Sequence, residues 1–310
     1  MADDEAAAAL SDYILPFQVS ETAVRGRVVR LSGAIDEILK AHDFPPSTSV
    51  LVGEAAALVA MMGAALKFDG KLIFQAQGDG PVSMIVADYS AGGALRATAK
   101  LRDEEASLAA QGASSLLGAG HMVLTIDQGP DMDRYQGVTP LEGAALADAA
   151  VSYFRQSEQI PTVVRLAVGK LSAPGEPDRW RAGGIMAQFV PGEGGARERG
   201  EEARMGAADQ EIWNRAEAFV ASTQDDELLD PSIAPETLLY RLFHEDGVRL
   251  FESQPVHADC SCNAGKIAAV LSRYSAEDLT EMVENGVITV TCEFCRRDYR
   301  FTPEGRPAEA

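Results

Sequence analysis

The cysteines of this 310-residue chain, four in number, lie together near its carboxyl end. Cys260 and Cys262 form a C-x-C pair, and Cys292 and Cys295 form a C-x-x-C pair. Two such pairs supply four thiolates, the ligand set of a closed zinc site with Zn–S bonds of about 2.3 Å. The thiolate is also the reactive form of cysteine. The same residues could therefore respond to oxidants by forming disulfides, which cannot hold the metal.

Three interpretations of the cysteine cluster stay open at this point: four ordinary buried thiols, a purely structural zinc ribbon, or a redox-sensitive zinc site. Clustering disfavours the first, because unrelated cysteines would be scattered along the chain.

His257 lies three residues before Cys260 and could replace a sulfur ligand. Four thiolates suffice for zinc, so we interpret His257 as a surface residue. The other histidines have no partner residues in the sequence and are predicted to be structural or exposed: His42, His121 and His244.

The charge of the chain limits its partners. There are 27 Lys and Arg residues against 47 Asp and Glu residues, a net charge of −20, which repels nucleic acids and anionic membranes. The amino terminus lacks the basic region of a secretory signal, and the longest apolar run (Ala55–Leu66) is too short to span a membrane. We therefore expect a cytoplasmic protein. Because the cytoplasm keeps thiols reduced, clustered cysteines there favour metal binding or redox chemistry over a disulfide framework.

The order of apolar patterns predicts an α+β fold with a largely antiparallel sheet. β-type runs follow one another with inserted helices, without a regular alternation of strand and helix. We expect an N-terminal core domain with packed helices over residues 1–195, including a helix buried on all sides after Pro46 and a helix over Leu141–Gln159. A charged loop and helical linker should occupy residues 196–255, with a mobile loop near 191–206. A small zinc-binding domain should occupy residues 256–310.

The predicted linker helices, Asp209–Ser222 and Pro235–Asp246, have narrow apolar stripes and many charges. Such helices should pack weakly on the core and could be released from it. In the C-terminal part, Ser275 is predicted to cap a helix over Ala276–Glu284 with Asp278 in a capping box. A strand, a cysteine knuckle and a second strand should follow.

Two rival functions are a zinc-ribbon thiol oxidoreductase and a nucleic-acid-binding protein. A thiol oxidoreductase would place C-x-x-C at the start of a helix, whereas Cys292 follows the strand-like run VITVT. A nucleic-acid-binding zinc ribbon would need a basic surface, which the net charge disfavours. A zinc hydrolase would need an open coordination position, and four thiolates leave none.

Taken together, the motifs resemble the heat-shock protein 33 family of redox-regulated chaperones. The spacing of the two cysteine pairs is that family's zinc-binding pattern, and the similarity covers essentially the whole chain. A longer charged, Gly-rich stretch over 192–206 departs from it. The other blocks that resemble the family are GDGPVSMIVADYSAGGALRATA (Gly78–Ala99), YFRQSEQIPT (Tyr153–Thr162), GGIMAQFVP (Gly183–Pro191), LLYRLFHED (Leu238–Asp246) and CEFCRRDYRF (Cys292–Phe301).

The resemblance implies a zinc-bound, inactive reduced form and no enzymatic activity. It implies one Zn²⁺ per chain, held by Cys260, Cys262, Cys292 and Cys295. Oxidation would form Cys260–Cys262 and Cys292–Cys295 disulfides, release zinc and unfold the linker. The active form would be a homodimer that binds unfolding proteins without ATP, and neither nucleic acid nor membrane would be a partner.

Client-binding candidates are the apolar residues of the linker helices, for which static core packing is the alternative interpretation: Ile212, Trp213, Phe219, Val220, Leu238, Leu239, Leu242 and Phe243.

Overall fold

A computed structural model describes residues 12–65, 70–102, 116–129, 132–143, 145–172, 175–190 and 206–308. The loop predicted near 191–206 lies outside the described residues except for Gly206. In the first part of the chain the elements are β1 (Tyr13–Val19), β2 (Val24–Leu31), α1 (Gly33–Lys40), α2 (Pro46–Gly63), β3 (Lys71–Gly78), β4 (Val82–Ser90), β5 (Ala94–Leu101), β6 (Ala119–Asp127), β7 (Tyr135–Glu142), α3 (Leu146–Tyr153), a π-helical turn (Phe154–Glu158), β8 (Thr162–Leu171) and β9 (Arg179–Phe189).

The carboxyl-terminal third is mainly helical, with short strands. Its elements are α4 (Ala207–Ser222), α5 (Asp225–Leu229), α6 (Pro235–Phe243), β10 (Val248–Leu250), β11 (Gln254–Pro255), β12 (His257–Ala258), α7 (Ala264–Leu271), α8 (Ala276–Glu281), β13 (Ile288–Thr291) and β14 (Asp298–Phe301). We call residues 260–301, which contain the cysteines and the last four elements, the cysteine module.

Two six-stranded sheets form the main body and confirm the α+β class. The first has the order β10-β1-β2-β9-β8, with β11 also paired to β1. The second has the order β12-β5-β4-β3-β6-β7. The strand pairs are antiparallel apart from β12 with β5. The cysteine module adds the antiparallel hairpin β13–β14.

Helix α2 is the central element of the core, as its sequence predicted. Its side chains are apolar on nearly every face, with Glu54 as the one charged residue, so it must be enclosed on almost every side. It packs in one cluster with Ile14 and Leu31 of the first sheet and Phe74 and Ile85 of the second. Among the described residues it is the one helix long and apolar enough to cross a membrane, but it is buried as a core helix.

Helices α4 to α6 cover the opposite face of the first sheet. Phe243 lies 5.7 Å from Phe17 of β1, ring centroid to ring centroid. The client-binding candidates belong to this apolar layer in the form described. Five of them are buried, namely Trp213, Val220, Leu238, Leu239 and Phe243, and the other three are partly buried against them, namely Ile212, Phe219 and Leu242.

Several element boundaries differ from the sequence prediction. The helix expected from Leu141 begins at Leu146, because the end of β7 pairs with β6 and Gly143 then turns the chain at a φ of 73°. Helix α6 ends at Phe243 and α8 at Glu281. The capping box of Ser275 and Asp278 is present as predicted. Helices α5 and α7 were not predicted.

Candidate metal centre

A tight turn holds the C-x-x-C pair. Strands β13 and β14 pair in register up to Thr291 opposite Asp298. The backbone N–H of Cys292 then donates to the carbonyl of Arg297, and the N–H of Arg296 donates to the carbonyl of Cys292, each at 2.9 Å. Arg296 adopts a φ of 57° to close this turn. The pair thus lies between two strands, and not at the helix start that a thiol oxidoreductase would use.

All four cysteine sulfurs come together, as the sequence predicted. Their Sγ atoms lie within 4.8 Å of one another. The Sγ–Sγ distance is 3.7 Å for Cys260 and Cys292 and 3.4 Å for Cys262 and Cys295. Four sulfurs at about 2.3 Å from a tetrahedral zinc would be about 3.8 Å apart. The four residues therefore fit a single zinc ion, which would be bound by one sulfur from each of four half-buried cysteines.

The protonation of the thiols also favours a bound cation. Burial raises the pKa of Cys262, but hydrogen bonds from the Tyr299 hydroxyl and the neighbouring thiols outweigh it and bring the pKa to about 7. Burial and the same neighbouring thiols raise the pKa of Cys295 to about 12. Without a cation the cluster accommodates one thiolate and resists the next. A divalent metal would remove this conflict, because it binds thiolates.

Tyr299 is a contributor that the sequence prediction missed. Its hydroxyl lies 3.1 Å from the Sγ of Cys262 and 3.2 Å from the Cys262 carbonyl oxygen, so its one proton is within reach of both acceptors. Strand β14 places this side chain beside the sulfurs. Strand periodicity could not have predicted this contact, because it shows only that Tyr299 and the buried Phe301 lie on the same face of the strand. The loop that carries Cys262 is far away in sequence.

The strand that leads into the cysteine module, β12, pairs with the edge of the second sheet. β12 pairs in parallel with β5, with His257 N–H donating to the Gly93 carbonyl at 2.9 Å and Asp259 N–H to the Leu95 carbonyl at 3.0 Å. Gly93 has a φ of 95°, and a Cβ there would lie 2.1 Å from the Pro255 carbonyl oxygen. His257 is exposed and is not among the clustered metal-ligand residues, as predicted.

The C-x-x-C turn makes further contacts with the main body. Thr98 of β5 donates from Oγ1 to the Glu293 carbonyl at 2.8 Å. His42 Nε2 donates to the Phe294 carbonyl at 2.9 Å, and the His42 ring stacks on Phe44. His42 is therefore structural, one of the two roles predicted for it. Its link to the turn spans 252 residues of sequence, so spacing alone gave no sign of it.

The cysteine module has a small apolar core of its own. The fully buried members of this core are Leu271, Leu279, Ile288 and Phe301. Four buried side chains bury too little surface to offset the ordering of some forty residues. Metal binding by the four cysteines would therefore supply much of the folding free energy of the module.

Comparisons with known proteins agree over nearly the full length of the chain. The family model for "Hsp33 protein" matches residues 12–302. A protein of Caulobacter vibrioides named "33 kDa chaperonin" is 49% identical over 302 residues, which cover 96% of each chain. A protein of the same name from Methylobacillus flagellatus is 33% identical over 294 residues, covering 94% of this chain and 92% of the relative.

The fold has a counterpart among solved structures. The crystal structure of the 33 kDa chaperonin of Thermotoga maritima matches with a TM-score of 0.76, covering 94% of this chain and 96% of that one, at 22% identity. At this identity the match supports the fold. Together with the family match and the 49% identical relative, it confirms the resemblance found in the sequence: the chain belongs to the Hsp33 family of chaperones.

Proposed function

We propose that this chain is a redox-regulated, ATP-independent chaperone whose four cysteines switch it on. The observation that carries the proposal is the convergence of the four Sγ atoms within 4.8 Å in a module that is docked on the second sheet. A cluster in this position can bind a metal when reduced. It also contacts the main body, so a change in the cluster has a route to the rest of the chain.

In the reduced form the cysteine module is folded and docked. Cys260, Cys262, Cys292 and Cys295 would hold one Zn²⁺, which would balance the thiolate charge and stabilise the fold of the module. The Tyr299 hydroxyl would keep its contact with Cys262. Helices α4 to α6 stay packed on the first sheet, and the client-binding candidates stay covered.

In the oxidised form the thiols become disulfides, which no longer act as ligands. The family resemblance supports the pairs Cys260–Cys262 and Cys292–Cys295. Each pair of thiolates loses two electrons to form one S–S bond, and one hydrogen peroxide molecule accepts these electrons with two protons from solvent and becomes two waters. Two peroxide molecules thus oxidise one chain. Without thiolate ligands the module could no longer hold a metal, and its small core would be too weak to keep it folded.

The connection between module and linker gives the switch a path to the apolar layer. β10 follows α6 after a short turn and pairs with β1, β11 pairs with the same strand, and β12 pairs with β5. These are strands of two or three residues, with few hydrogen bonds each. Unfolding of the module would loosen them and the linker helices that precede them. The candidates on α4 and α6 would then be available to unfolding proteins.

The proposal includes a cytoplasmic location, which the sequence analysis predicted, and a homodimer in the oxidised state, which the family resemblance implies. The net charge of −20 supports solubility of complexes with apolar clients and disfavours nucleic acid as a partner. Binding of unfolding proteins requires no chemical step, so we propose a chaperone without enzymatic activity.

The test is the suppression of thermal aggregation of an unfolding protein by the reduced and by the peroxide-oxidised chain. We expect protection after oxidation and little before it. A variant with all four cysteines changed to serine is the control, and it should show no dependence on peroxide. Equal protection by both forms of the natural chain would contradict the switch. Turnover of small disulfide substrates would instead favour the thiol oxidoreductase.

A further inference from the structure

Arg96 of β5 connects the second sheet with the cysteine cluster. Its Nη1 lies 3.7 Å from the Sγ of Cys260, within reach of a hydrogen bond to sulfur. Its guanidinium carbon lies 4.0 Å from the centre of the Phe294 ring, a cation–π contact with the residue between the C-x-x-C cysteines. One side chain therefore contacts both the loop that carries the C-x-C pair and the turn that carries the C-x-x-C pair.

Asp88 fixes the position of this guanidinium. It lies directly opposite Arg96 on β4 and is 4% exposed. Arg96 donates to it from Nε at 2.8 and 2.9 Å and from Nη2 at 2.7 Å. This forked geometry is specific to arginine and leaves Nη1 directed at the sulfur. A buried carboxylate needs such a partner, so the pair is held firmly.

We propose that Arg96 is a positioning residue of the metal centre, which orients the Cys260 thiolate by an outer-sphere hydrogen bond and seats the C-x-x-C turn through Phe294. The proposal rests on the proposed function in that the cluster binds zinc. Four thiolates and one Zn²⁺ carry a formal charge of −2, and a fixed N–H donor stabilises that charge. Outer-shell partners of this kind contribute strongly to metal affinity.

The position of Arg96 links docking and metal binding in both directions. When the module is docked, the Cys260 sulfur has a donor and the Phe294 ring has a cation. When the Cys260 sulfur is lost to a disulfide, Nη1 of Arg96 loses its negatively charged acceptor, while Nε and Nη2 keep theirs on Asp88, and the docked state is weakened. By thermodynamic linkage, whatever separates the module from β5 also lowers the affinity of the four cysteines for zinc.

The test compares variants of Arg96 in the full-length reduced protein. Zinc affinity is measured by competition with a chelator. The thiolate-to-cobalt charge-transfer absorption of the Co²⁺-substituted protein reports on the sulfur environment. We expect Arg96→Met to weaken zinc binding by about 10- to 100-fold and to shift the absorption. Arg96→Lys keeps the charge but loses the fork, so it should restore part of the affinity.

Two controls separate the hydrogen bond to sulfur from general effects. Arg102→Met removes the same charge just beyond the opposite end of β5, where Arg102 contacts the Gly78 and Gly80 carbonyls, and should change neither readout. Thr98→Val removes a docking contact that does not involve sulfur. Any loss of affinity in this variant should come without a shift in the cobalt absorption.

The proposal is overturned if the folded Arg96→Met variant binds zinc with the affinity of the natural protein and its Co²⁺ form has the same absorption. It is also overturned if Thr98→Val shifts the cobalt absorption as much as Arg96→Met does. If Arg96→Met does not fold, Arg96→Lys decides, and unchanged affinity and absorption in that variant overturn the proposal. A natural protein that binds no zinc when reduced would instead overturn the proposed function.

Discussion

Arg30 offers a direct test of how the linker is held on the main body. This side chain of β2 is 3% exposed. Its guanidinium donates to three linker carbonyls, those of Asp230 at 2.7 Å and of Glu227 and Ile233 at 2.8 Å each. These carbonyls belong to α5 and the turn after it. A buried cation thus donates three hydrogen bonds to one segment of the linker.

Arg30→Met should release this segment. Each carbonyl left without its donor costs about 1–3 kcal/mol if it stays buried. The three carbonyl residues are half-buried and water can reach them, so the lower end applies, about 3 kcal/mol for all three. At about 1.4 kcal/mol per factor of ten, the equilibrium between docked and released segment should shift roughly a hundredfold.

Hydrogen–deuterium exchange of the reduced, zinc-loaded protein measures this shift. The Asp230 amide, which donates to the Asp226 carbonyl at 2.8 Å, should exchange roughly a hundredfold faster in Arg30→Met, while β13 and β14 keep their natural rates. The matched control is Arg165→Met, which removes an ion pair with Asp225 on the exposed surface of the same helix. Such a pair contributes about 0–1 kcal/mol. Equal exchange in the two variants would refute the role given to Arg30.

Three further predictions test other parts of the account. Burial, with the nearby Asp225 charge, raises the pKa of Glu54 to about 7. The folded state therefore binds this proton more tightly than the unfolded state does. The free energy of unfolding should fall by up to about 3 kcal/mol as pH rises from about 4.5 to about 7. Glu54→Gln should flatten that profile in thermal denaturation near neutral pH, and an identical profile would contradict the assignment. Chelation of the metal under reducing conditions should unfold residues 260–301 and loosen β10 to β12, but leave β1 to β9 of the two sheets intact, as followed by two-dimensional NMR. A module that stays folded would show that its core suffices. Mass spectrometry of the peroxide-oxidised chain should find disulfides within the C-x-C and C-x-x-C pairs, whereas Cys260–Cys292 or Cys262–Cys295 bonds would contradict the predicted pairing.

The cysteine cluster and the core helix could be predicted because each depends on local pattern. Two cysteines with one or two residues between them must lie close together, and the apolar character of α2 on nearly all sides requires a buried position. The fold class followed from the order of such patterns. Family blocks then extended the prediction to the function.

The docking contacts could not be predicted, because their partners are distant in sequence and ordinary in type. β12 has two residues and shows no periodicity. Arg96 and Arg30 lie on strands where an arginine is expected to point to solvent, and only the packed structure shows that one contacts Cys260 and the other the linker. Helix α7 was missed although Asn263 caps it by accepting from Lys266 N–H at 2.9 Å, a signal that the sequence does contain.

The central claim is that four sulfurs of this chain share one metal ion when reduced and lose it when oxidised. X-ray absorption at the zinc edge measures this ligand set directly. We predict one zinc per chain with four sulfur ligands at about 2.3 Å in the reduced protein, and no bound zinc after two equivalents of peroxide. A reduced protein whose zinc has nitrogen or oxygen ligands, or an oxidised protein that keeps its zinc, would contradict the account.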